Sequence, residues 1–78
     1  MDDRIWVPGW NRCKKLLKKE LVKKLYLACD ADEAFAQTVL AEARAAGISP
    51  DQTKSGDELA ALAGVEVFTA VLTEALPE

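Results

Sequence analysis

The side chains able to do chemistry are few. They comprise two thiols, Cys13 and Cys29, a carboxylate run at Asp30, Asp32 and Glu33, and a cationic block of Arg12, Lys14, Lys15, Lys18 and Lys19. The chain has no His, which removes the commonest general base and the commonest metal ligand. Two thiols cannot fill a four-ligand zinc site, and neither has an imidazole to activate it. Cys29 is therefore expected to be a small buried hydrophobe at a strand edge, and Cys13 part of the inward face of a helix. The carboxylates suit a hard cation such as magnesium, but they stand where a helix should begin and its first N–H groups need acceptors. Capping is their expected task. No phosphate-cradling glycine loop accompanies them, so the residues predict no enzyme, no metal and no cofactor.

The cationic block gains meaning from its position. Residues 1 to 24 hold eight basic and three acidic residues, a local charge of +5, while the remainder carries −8, which gives the overall −3. At 78 residues, 50% of them hydrophobic, the chain fits one small domain over 1–78 and excludes a two-domain enzyme. No apolar run approaches a membrane span. One disulfide between the two cysteines is possible by number, but the chain as given has no basic start leading into an apolar signal stretch. Reduced thiols and a cytoplasmic setting are the expectation.

The elements that must position these groups follow from periodicity. Ile5, Trp6 and Val7 form a short apolar run, a strand or ordered lead-in, stopped by Pro8 and Gly9. Asn11 stands where a helix cap belongs, and Cys13, Leu16, Leu17 and Leu21 fall on one helical face, leaving the lysines mostly elsewhere. Val22 to Ala28 reads as a buried strand. Phe35, Ala36, Val39, Leu40, Ala43 and Ala46 stripe a second helix that Gly47 ends. Ile48 to Thr53, weakened by Pro50, is expected as an edge strand or extended loop. Ser55-Gly56-Asp57-Glu58 is a capping box opening a short helix with Leu59 and Leu62, which Gly64 ends. Val65 to Leu72 reads as the last strand and Thr73 to Glu78 as a tail. Helices alternating with strands give an α/β class, a three-layer α-β-α sandwich around a small mixed sheet.

This order, with three sequence blocks, resembles the kink-turn RNA-binding superfamily of small ribosomal proteins. Its first-helix motif, Gly-Thr-Asn-Glu-x-x-Lys, is matched at Gly9, Asn11 and Lys15; its Ala-x-Asp-Ala-Asp at Ala28-Cys29-Asp30-Ala31-Asp32. A third block agrees at Ser55, Glu58, Leu59, Gly64, Val65, Val67 and Ala70. The resemblance covers the chain from Gly9 to Leu72. It implies an α/β/α RNA-binding domain that grips a sharply kinked RNA through Gly9, Trp10, Asn11, Arg12 and Lys15 on one side and Val65, Glu66 and Val67 on the other. Arg12 stands where the family has Glu, exchanging an acceptor for a donor suited to phosphate or to guanine O6 and N7. Trp10 replaces a small Thr, and Phe68, Ala60 and Ala63 alter the second contact loop.

The sequence reading is thus a cytoplasmic, non-catalytic ribonucleoprotein component. Asn11, Arg12 and Lys15 address base edges and phosphates, Lys14, Lys18 and Lys19 add salt-dependent affinity, and Val65 to Val67 pack an extruded nucleotide. Trp6 is expected in the core and Trp10 at the contact. The alternative is a degenerate member serving as a protein interaction module or homodimeric scaffold, to which the bulky residues Trp10, Arg12 and Phe68 lend themselves. The plainest reading of the lysines is a solvated helix face.

Overall fold

A computed structural model of the chain describes residues 4–76. Its elements run β1 (Ile5–Pro8), α1 (Trp10–Lys18), β2 (Val22–Leu27), α2 (Glu33–Ala45), α3 (Gly56–Ala63) and β3 (Val71–Ala75). The strands form an antiparallel sheet in the order β1-β3-β2, so the last strand occupies the middle. Asp51 adds a single parallel bridge to Tyr26 on the outer edge of β2, through Leu27 N–H to Asp51 O at 2.9 Å and Asp51 N–H to Leu25 O at 2.9 Å. The three strands thus make an antiparallel sheet where a mixed one was expected, because the isolated bridge at Asp51 is all that forms of the expected Ile48 to Thr53 strand.

Alternation along the strands sorts residues to two faces. Val7, Leu25, Leu27, Val71, Thr73 and Ala75 share one face, on which α1 and α2 bring Cys13, Leu16, Leu17, Val39 and Ala43. The other carries Tyr26 and Leu72, covered by Leu59 of α3. The architecture is therefore the three-layer α/β sandwich, with two helices on one side and one on the other.

Several boundaries differ from the sequence reading. The N-cap of α1 is Gly9, not Asn11: Gly9 adopts φ 101°, a backbone region closed to most side chains, and Asn11 lies within the first turn. The helix ends at Lys18, because Glu20 takes φ 58° to turn the chain into β2, which leaves Leu21 beyond it. Asp32 does cap α2, accepting from Phe35 N–H at 3.2 Å. Asp30 does not; it accepts from Gly56 N–H, at the start of α3, at 2.9 Å. The Ser55/Glu58 capping box forms as read, and Gly47 and Gly64 take the left-handed conformations expected after helices.

The last strand is displaced. Val65–Ala70 is loop, and the strand runs through Thr73–Ala75, where a tail was expected; Pro77 and Glu78 lie outside the described residues. The cause is competition for backbone partners. Val65 N–H is taken by Ala60 O and Thr69 N–H by Gly56 O, whereas Val71–Ala75 finds β1 on one side and β2 on the other. Cys29 is exposed rather than buried, because β2 ends at Leu27 and the chain turns outward into Asp30.

Candidate nucleic-acid interface

The start of α1 and the loop before β3 are fifty-odd residues apart in sequence and adjacent in space. Gly9 N–H donates to Val71 O at 3.1 Å, which ties the helix entry to the first residue of β3. Thr69 braces the loop from within, its N–H reaching Gly56 O at 3.2 Å and its hydroxyl Val67 O at 3.1 Å. Between the two segments lies a cleft of about 270 Å³ lined by Gly9, Trp10, Val65, Val67 and Phe68, with Phe35 at its base. Its mouth is apolar and open: Val67 is 69% exposed and Phe68 51%. Exposed apolar groups of this size around a concavity mark a contact surface more often than a stable free one.

Of the two tryptophans, Trp6 departs from its expected place in the core, while Trp10 lines the cleft with part of its ring packed inward. Trp10 is half-buried, its indole edge-on to Phe35 with ring centroids 6.2 Å apart and packed against the α1/α2 core. It forms a wall of the cleft. Trp6, on the edge strand, stays 41% exposed. The reason is strand parity: Val7 claims the α1 side, so Trp6 must point to the face that α3 covers only in part.

Along α1, Asn11, Lys14, Lys15 and Lys18 follow one another at steps of three and four and are all exposed, forming one solvent stripe opposite the buried Cys13, Leu16 and Leu17. Lys14, Lys15, Lys18 and Arg12 have no ion-pair partner among the described residues. The flanks of the stripe diverge. Arg12 and Lys15 edge a groove floored by Ile5, Val7 and Leu16, while Lys14 and Lys18 edge another that also holds Glu20 and Glu42. Lys19 caps the helix end and Glu66 is exposed in the loop.

The predicted site residues therefore fall into two connected groups, Gly9, Trp10, Val65 and Val67 at the cleft and Asn11, Lys14, Lys15 and Lys18 on the stripe leading from it. Arg12 is turned from the cleft toward β1. Phe35 was read only as part of the α2 stripe; its place as first apolar residue of that stripe, next to the cap, was the available signal. Among the described residues no cluster of His, Cys, Asp or Glu could hold a metal ion. No family model matches the chain, and no curated protein is significantly similar to it.

Proposed function

We propose that this chain is a non-catalytic RNA-binding protein that docks a kinked or otherwise structured RNA, as a component of a cytoplasmic ribonucleoprotein. One observation carries the reading: an open apolar cleft, built from the start of α1 and the loop before β3, adjoins a stripe of lysines that form no ion pair among the described residues. A cleft of this size and lining accepts a flat unstacked base, and the stripe suits the phosphates on either side of it. Asn11 adds an amide for base edges, and Arg12 a guanidinium reaching around the helix. The acidic remainder orients the molecule, repelling RNA from the other surfaces.

Binding of a kink-turn RNA and a plain duplex of equal length, each at two salt concentrations, tests the proposal. Tighter binding to the kinked RNA is expected, with three phosphates at Lys14, Lys15 and Lys18 implying roughly 40-fold weaker binding on a four-fold rise in salt. Equal and weak binding to both RNAs would sink it. A second reading, a protein partner or a second copy seated on the cleft, is favoured by the exposure of Val67 and Phe68. It predicts a stable complex or dimer without RNA that Phe68→Ser dissolves.

A further inference from the structure

The α3 side of the sheet is only half covered. Leu59 of α3 shields Leu72, Ala28 and the buried part of Tyr26, but the other end of the same face is open, leaving Trp6, Arg4 and Lys24 exposed around Glu74. There the indole of Trp6 sits 5.9 Å from the Tyr26 ring, tilted by 46°, and Lys24 Nζ lies 5.0 Å above the Tyr26 centroid. Both cations on this surface are ion-paired, Arg4 to Glu74 at 2.6 Å and Lys24 to Asp51 at 3.7 Å. The pairs are layered. The cation side chains are 45% and 51% exposed and their carboxylates only 16% and 23%, so the face turns positive charge outward over its acids.

We infer that this open half of the sheet is a second RNA contact, a platform on which an unpaired nucleobase stacks against Trp6 while Arg4 and Lys24 hold the flanking phosphates. The inference rests on the RNA-binding reading above and extends it to a surface outside the cleft lining. An exposed indole edged by cations matches what single-stranded nucleic acid requires, a π-face for the base and outward charge for the backbone.

The tryptophan emission that the unaltered chain has and Trp6→Phe lacks reports Trp6 without altering the cleft, and is the readout. Titration with a short single-stranded RNA is expected to quench Trp6 strongly, an oligonucleotide abasic at its centre to quench it less, and Trp6→Ala to weaken binding of the intact oligonucleotide about ten-fold. Trp6→Phe keeps a ring for stacking and should retain most of that affinity, which separates loss of stacking from loss of fold. If kink-turn RNA binds while Trp6 emission stays unchanged and Trp6→Ala binds as tightly as the parent, the platform is overturned and the cleft reading stands. If the unaltered chain binds neither RNA, both fall. A Trp6 blue shift that follows protein concentration without RNA overturns the platform in favour of self-association.

Discussion

Asp30, just past the end of β2, accepts a hydrogen bond from the backbone N–H of Gly56, the first residue of α3, at 2.9 Å, joining positions 26 apart in sequence. The same glycine lies beneath Phe68. A Cβ placed on Gly56 would clash with the nearest carbons of the Phe68 ring, so the present seat of Phe68 depends on the missing side chain rather than on the backbone angles of the glycine. One residue thus links the β2–α2 turn, the start of α3 and the wall of the candidate site.

Gly56→Ala should accordingly push the half-exposed Phe68 ring toward solvent, at a cost of only about 0.5 kcal/mol because the ring has room to give. Asp30→Ala leaves the Gly56 N–H without its acceptor and should cost about 1 kcal/mol. Urea unfolding of the two variants measures both effects. The second check is the cleft: in Gly56→Ala the Phe68 ring protons should shift in NMR spectra, and an unmoved Phe68 would remove the proposed link between α3 and the loop.

The two thiols should behave oppositely. Cys13 is fully buried against the α1 face of the sheet, and burial pushes its thiol pKa up, an effect only partly opposed by the neighbouring Thr73 hydroxyl. Thr73 Oγ1, itself buried, has no hydrogen-bond partner within bonding distance among the described residues. Cys29 is exposed. A thiol-reactive reagent should therefore modify Cys29 in the folded chain and Cys13 only on unfolding. Because the folded Cys13 pKa lies above its unfolded value, the folded state keeps a proton that the unfolded state releases. The associated stability is complete below about pH 8.5 and declines as pH rises beyond it, while Cys13→Ser should flatten that decline. Equal labelling rates for the two cysteines under native conditions would contradict this.

Asp51 holds the parallel bridge to Tyr26 and also a local turn. Its Oδ1 accepts from the Thr53 hydroxyl at 2.6 Å and from Thr53 N–H at 2.9 Å. The hydroxyl bond is the main reason its carboxyl is held below the usual carboxylate range, followed by the N–H bond, with the charges of Lys24 and Lys54 adding to them. Since the folded pKa is depressed, the stabilisation is present above about pH 4 and is lost as pH falls through the folded value. Thr53→Val should raise the Asp51 titration midpoint, followed by carboxyl NMR shifts; an unchanged midpoint would show that Thr53 is not the cause.

Much of this fold was legible in the chain because its signals are local. The capping box at Ser55 and Glu58, the cap at Asp32, the glycines at 47 and 64, and the period of Cys13, Leu16 and Leu17 each act within one helical turn, and each appears where expected. The stripe of Asn11, Lys14, Lys15 and Lys18 was legible for the same reason, since side chains three and four apart share a face whatever the helix packs against.

What the sequence could not settle depended on partners distant along the chain. Val65 to Leu72 has strand composition, yet the strand forms at Val71–Ala75 because only there do β1 and β2 offer ladders on both sides. The places of Trp6 and Trp10 were decided by which face each helix covers, and Asp30 found the start of α3 in place of its nearer helix because the turn after β2 carried it there. Residue types and short-range spacing determined the helices, the caps of α2 and α3 and the basic stripe. Tertiary packing alone joined Gly9 and Trp10 to Val65 and Val67, since a cleft made by two remote segments exists only once the central strand has paired.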